Sequence, residues 1–289
     1  VAVGYRCLEN DTAGSNTAMG YQALASNTSG IQNTAVGSNA LVNITTGDYN
    51  TAVGHSAGIT LGANSIRNTA IGTECMSAAA STTTINNNTA VGSLALNRCE
   101  GNQNTAVGRS ALQLLTTGEC NTAVGYLSLD ACQTGSSNVA IGDAALTNFT
   151  GTGNTAVGRN ALFANTTGTE NVAMGNSAGD AITSGSANTI IGFNSCATGN
   201  VSGVTTVGRR TAEAATVGQL TAVGYHALRR DTTGIENTAF GYDSLSYVTT
   251  GDYNTAVGHR AANSIDSSGA RNTAVGAEAL SDAATRTSM

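Results

Sequence analysis

One short pattern of polar and apolar residues, Asn-Thr-Ala-Val-Gly, recurs along this chain, first complete as Asn33-Thr34-Ala35-Val36-Gly37, with polar turn-forming residues between its copies. Its closing glycine stands at Gly4, Gly20, Gly37, Gly54, Gly72, Gly92, Gly108, Gly125, Gly142, Gly158, Gly175, Gly192, Gly208, Gly224, Gly241, Gly258 and Gly276, which makes 17 copies at a mean step of 17 residues. Only the step from Gly72 to Gly92, with an insert around Ser81 to Asn87, departs from this by more than one residue. A fixed short period predicts a solenoid in which each repeat is one coil stacked on the next. Five residues closed by glycine are too few for a helix, and Thr, Val and Ile at alternate places suit a strand. The expected fold is therefore all-β, a β-solenoid of about 17 coils forming a single domain over 1–289.

Within each copy the residue before the anchor is apolar, as in Val36, Met19, Ile71 and Phe240, and the residue three before it is usually Thr. These two share one strand face, and the alanine between them, present in 15 of 17 copies, takes the other. After the anchor the third residue is small (Ala23, Ala40, Ser128) and the fourth is often leucine (Leu24, Leu41, Leu112), which predicts a second strand. Val and Leu are then expected to fill a thin core, leaving alanine as a second smooth surface that a trimer would bury. A glycine stands seven before the anchor in 11 copies, as in Thr45-Thr46-Gly47, where a turn calls for positive φ. Asn precedes the Thr in 14 of 16 copies and is expected to form a ladder of side-chain amides along one corner.

Composition supports stacking over a globular core: 36 Gly, no Pro, no Trp and only four Phe. The net charge of −6, from 18 acids against 12 arginines and no lysine, argues against a nucleic-acid partner. No apolar run reaches the length needed to span a membrane, so no membrane insertion is expected. The six cysteines are expected to be mostly free thiols in alanine-sized sites, with a Cys120–Cys132 pair left open.

Candidate chemistry is sparse, and neither a catalytic residue, a cofactor nor a metal is expected. His55 and His259 stand 12 coils apart, and His226, although near Asp231 and Asp243, has no nucleophile elbow beside it. The two columns directly after the anchor are more informative. They accept Tyr, Arg, Asp, His and Ser and so face water as an exposed stripe. Tyr and Arg are the residues from which sticky surfaces are made. The strongest candidate patch is Arg209, Arg210, Tyr225, His226, Arg229, Arg230, Tyr242 and Arg260, from four successive coils. Seven Asn-X-Ser/Thr triplets occur, and four of them (Asn10, Asn27, Asn148, Asn165) fall ten before an anchor, as candidate glycosylation sites in exposed turns. Ice binding through Thr rows needs a flat outward face, and a Thr that points partly inward sets that reading aside.

With the motif laid out in this way, the chain resembles the YadA-like head repeats of trimeric autotransporter adhesins. Ser137-Asn138-Val139-Ala140-Ile141-Gly142 and Glu170-Asn171-Val172-Ala173-Met174-Gly175 come nearest to their Asn-Ser-Val-Ala-Ile-Gly. Asn16-Thr17-Ala18-Met19-Gly20-Tyr21-Gln22-Ala23-Leu24 is similar to the repeat arrays of phage tail fibres and bacterial surface fibres. The resemblance implies a left-handed parallel β-roll, three chains side by side, outside a cell or virion and engaged in attachment, although family head coils run shorter than 17 residues. The expected function is a structural and adhesive fibre segment without enzymatic activity. The alternative is a solenoid that recognises surface carbohydrate, or a surface protein, through the Tyr/Arg stripe. A second copy placed after Met289 would keep the repeat in phase, apart from Arg286 at the turn-glycine place. This predicts head-to-tail filaments beside the homotrimer.

Overall fold

The structure, a computed structural model, describes residues 1–59, 61–77, 84–263, 265 and 268–281. Residues 81–83 of the insert and Arg286 lie outside these. The chain forms two compact units, Val1–Thr150 and Gly151–Met289. The first carries strands β1 (Ala2–Val3), β2 (Thr17–Met19), β3 (Thr34–Val36), β4 (Thr51–Val53), β5 (Thr69–Ile71), β6 (Thr89–Val91), β7 (Thr105–Val107), β8 (Thr122–Val124) and β9 (Val139–Ile141). The second carries β10 (Thr155–Val157), β11 (Val172–Met174), β12 (Thr189–Ile191), β13 (Thr205–Val207), β14 (Thr221–Val223), β15 (Thr238–Phe240), β16 (Thr255–Val257) and β17 (Thr273–Val275). Inside each unit every strand pairs in parallel with the next copy and like residues face like: Thr34, Ala35 and Val36 lie beside Thr51, Ala52 and Val53, and Thr238, Ala239 and Phe240 beside Thr255, Ala256 and Val257. The chain is thus an all-β solenoid whose coil is the 17-residue period.

The anchor glycine ends each strand for two reasons. At Gly37 φ is +132°, and a Cβ there would lie 2.3 Å from the carbonyl oxygen of Gly54 in the next coil. No side chain fits this column. The glycine seven before the anchor has a different reason from the expected positive φ. Gly47 and Gly118 are not left-handed; a Cβ on them would stand 2.1 Å from the Ser65 carbonyl oxygen and 2.2 Å from that of Gly135. Close approach of neighbouring coils selects glycine there.

The expected facing of the strand is reversed. Ala35, Ala52, Ala106 and Ala123 are fully buried, while the Thr and Val on either side of each are half-buried or exposed. Where a turn leucine fills the interior, alanine is the side chain that fits at this place. At Gly58, four after its anchor, a Cβ would meet Leu41, Leu61 and Ala52 all within 3.6 Å, which shows how closely strand and turns converge. The core is therefore Ala from the strand and Ala, Leu and Ile from the turns, as in Ala35, Ala40, Leu41 and Ile44. Volume is traded between places. Gly179 lacks the usual leucine, and Ile190 on β12 replaces the usual alanine with its Cδ1 directed at that gap. The alanine surface expected to seal a trimer is thus the core itself.

The expected second strand is instead a run of overlapping turns. Ala40 N–H donates to the Gly37 carbonyl at 3.4 Å and Ile44 N–H to that of Leu41 at 3.2 Å. Asn39 and Leu41 are left-handed, at φ 59° and 51°. Such residues cost roughly 1–2 kcal/mol each. Their N–H groups offset this by bonding to neighbouring coils, Asn39 to Tyr21 at 2.8 Å and Leu41 to Ala57 at 3.0 Å, and Leu41 is fully buried. Alternating left- and right-handed residues give the same inside–outside alternation as a strand, which is why the pattern reads as one.

The asparagine ladder forms as expected. Asn50 Oδ1 accepts from Asn68 N–H at 3.0 Å and from its Nδ2 at 3.1 Å, while Asn50 Nδ2 donates to the Ser65 carbonyl at 2.7 Å. The same scheme recurs at Asn104, Asn121, Asn171, Asn188, Asn237 and Asn254. Each amide is buried and bonded, which removes the cost of placing it inside. Val204 and Leu220 take this place in two successive coils of the second unit and are buried without it.

Candidate binding surface

The residue after the anchor leaves the coil, so its column stacks along the outside. In the second unit the column forms a continuous ladder. The Arg209 guanidinium carbon lies 5.5 Å from the Phe193 ring centre and 5.6 Å from that of Tyr225. Tyr225 stacks on Tyr242 at 5.1 Å, and Tyr242 on His259 at 5.3 Å. The first unit has shorter pieces of the same kind, Tyr5 on Tyr21 at 5.5 Å and Arg109 over Tyr126 at 5.7 Å. Each exposed cation–ring contact contributes on the order of 0.5–1 kcal/mol.

The remaining patch residues gather around this ladder. Arg210 Nε is 2.8 Å from Glu213 Oε1, and Arg229 Nε is 3.4 Å from Glu213 Oε2. His226 Nδ1 faces Asp243 Oδ1 at 3.3 Å. Arg230 lies 4.4 Å over the Tyr247 ring, and Arg260 is exposed beside the ladder. Burial, and then the charge of Arg229, push His226 below the ordinary histidine range against the pull of Asp243. Asp231, near His226 in sequence, turns inward and accepts from Gly234 N–H at 2.8 Å and Asn237 Nδ2 at 2.9 Å. Of the eight expected patch residues, Arg209, Tyr225 and Tyr242 share the ladder, Arg210 and Arg229 meet at Glu213, and His226 stands between Tyr225 and Asp243, while Arg230 forms a separate pair with Tyr247. Phe193, Glu213, Tyr247 and His259 complete the patch and were not in the expected set, although Phe193 and His259 occupy the same column as Tyr225 and could have been found by register.

This geometry limits the chemistry. Ladder rings cover one another's faces, so what they offer outward is edges: phenol hydroxyls, guanidinium N–H groups and imidazole. Such a surface suits hydrogen bonding along a chain of acceptors better than stacking against a flat sugar face. Among the described residues no three His, Cys, Asp or Glu converge as a metal site. All six cysteines are free. Burial pushes the Cys75, Cys99 and Cys196 thiols up to about 12 and that of Cys132 to about 11.

The candidate glycosylation sites divide by burial. Asn10 and Asn148 are exposed. Asn27 and Asn165 are fully buried, and their side chains close interior turns: Asn27 Nδ2 donates to the Gly30 carbonyl at 3.0 Å and Asn165 Oδ1 accepts from Gly168 N–H at 2.9 Å. These two are shielded from a modifying enzyme in the folded chain, because their turn points its asparagine into the coil.

A second outward surface, unexpected from the sequence, is the sheet itself with its Thr and Val columns. Neither column contains an ionisable side chain in any coil. No family model, curated protein or solved structure matches the chain.

Proposed function

We propose that this chain is a structural and adhesive segment of an extracellular fibre at a cell or virion surface, without enzymatic activity. The observation that carries this reading is the division of labour within the coil. Within each unit anchor glycines, core alanines and ladder asparagines recur in most coils with little change, whereas the columns after the anchor change from coil to coil. A constant scaffold that displays a variable surface suits a shaft that also attaches. With alanine inside the coil, the packing argument for a homotrimer falls away, and the homotrimer rests on the resemblance alone.

The alternative, recognition of surface carbohydrate, draws support from the ladder Phe193–Arg209–Tyr225–Tyr242–His259, in which the arginine, tyrosine and histidine edges after Phe193 carry polar groups in register from coil to coil. Glycan-array binding of the whole chain tests attachment. The adhesive reading expects retention that weakens in Arg209→Ala and Arg260→Ala while the fold is unchanged. Binding that is indifferent to both substitutions excludes this patch, and a chain that retains no glycan and no cell-surface protein is a shaft only. Sedimentation at micromolar concentration reads the oligomer in the same preparation.

A further inference from the structure

Across β3 to β8 the outward face is a two-column array: Thr34, Thr51, Thr69, Thr89, Thr105 and Thr122 in one column, and Val36, Val53, Ile71, Val91, Val107 and Val124 in the other. The strands pair without a shift of register from each coil to the next. We infer that this face of the first unit binds ice, holding water on a lattice of threonine hydroxyls and β-branched methyl groups.

Five observations carry this. The sheet sets the spacing, about 4.8 Å between neighbouring threonines and about 6.6 Å from Thr to the Val two residues on. The first lies close to the shorter repeat of oxygen atoms on low-index faces of hexagonal ice, and the second is somewhat below the longer one. Val53, Ile71 and Val107 are exposed by 38%, 39% and 36%, and the other nine side chains of the array are half-buried, so none is sealed from water. All twelve are β-branched, so their χ1 angles are held and little order remains to be imposed on binding.

The hydroxyls are also uncommitted. Turn threonines of the same unit donate to the next coil, Thr28 Oγ1 to the Thr45 carbonyl at 3.1 Å and Thr116 Oγ1 to that of Gln133 at 2.7 Å. Among the described residues the six sheet threonines make no side-chain hydrogen bond to protein, and their hydroxyls are left for water.

The array contains no charge, which matches an uncharged lattice and would give a charged polymer nothing to pair with. Its area speaks against a second copy of the chain as occupant. Six strands at about 4.8 Å, with a width of two side-chain columns, give on the order of 300 Å², against about 800 Å² per partner in a standard stable interface. In the second unit the pattern is interrupted by Val172, Met174 and Phe240, so its longest run is β12 to β14. That shorter run is an internal control.

The test is freezing of dilute solutions of the whole chain, read as the gap between melting and growth of a single ice crystal and as inhibition of recrystallisation. The wild-type chain is expected to facet the crystal and hold a gap. Thr89→Tyr with Thr105→Tyr, at the centre of the array, is expected to lose most of that gap, whereas Thr205→Tyr on β13 is expected to keep it. Circular dichroism and Tm establish that each variant is folded, and if the double variant is not, Thr105→Arg alone takes its place with the same expectation. A wild-type chain that leaves ice round and growing overturns the inference, as does a folded array variant as active as wild type. Sedimentation that shows a dimer broken by the array variants, in a chain without ice activity, overturns it in favour of a second copy.

Discussion

Asp231 shows what a single place in the coil demands. Seven after the anchor, other coils bury Ile44, Leu61 or Phe149, or the neutral Asn27 and Asn165, whereas this coil buries a carboxyl. Burial pushes its pKa up to about 6. The folded chain therefore holds a proton that the unfolded chain has already lost, so this group's contribution to stability is greatest at acid pH and declines as pH rises from about 4 to about 6. Asp231→Asn removes the dependence and keeps a turn that Asn165 already makes, with Oδ1 accepting from the glycine N–H. Between pH 4 and pH 7.5 the difference in unfolding free energy should move in the variant's favour by roughly 2.5 kcal/mol. Urea unfolding of both proteins across that range checks it; two parallel stability curves would refute the assignment. The sequence marks Asp231 only as a neighbour of His226, because nothing in the chain order tells that this position faces inward.

At the scale of the element, the strand and the asparagine rung are legible because each repeats in register. Inward and outward are not. Alternation separates Thr and Val from Ala, but hydropathy then assigns Val to the core, and only the narrowness of the coil, seen where Gly58 meets Leu41, Leu61 and Ala52, reverses that choice. The run of left-handed turns after the anchor was hidden for a related reason, since it imitates the alternation of a strand. The rung itself supports a firm expectation. Asn104 Nδ2 donates to the carbonyls of Asn102 at 3.1 Å and Gly118 at 3.0 Å, and its Oδ1 accepts from Asn121 N–H at 2.9 Å. Asn104→Ala leaves buried backbone groups without partners, at about 1–3 kcal/mol each. A loss of roughly 2–4 kcal/mol in urea unfolding is expected, and a loss below about 1 kcal/mol would mean that water replaces the amide.

For the whole molecule, a constant period was sufficient to read the fold class, and column register was sufficient to find the residues that stack from coil to coil as Arg209, Tyr225 and Tyr242 do. What the period conceals is that not all junctions between coils are equal. Where Val204 and Leu220 replace asparagine, the side-chain amides of two rungs are missing, although Val204 N–H still reaches Asn188 Oδ1 at 3.1 Å. Beyond it, Thr205 N–H bonds to the Leu220 carbonyl at 3.0 Å as backbone alone. This has a mechanical consequence. Within the second unit the bonds between coils run along the stacking direction, so tension applied that way passes through the junctions in series and the least-bonded one yields first. The coils of Val204 and Leu220, joined outside the strand by the exposed Arg209–Tyr225 and Arg229–Glu213 contacts, are the expected fuse. Single-molecule pulling on the second unit should place the first rupture there, and Val204→Asn with Leu220→Asn should raise the force at which it occurs; an unchanged rupture force would show that the strand ladder alone carries the load.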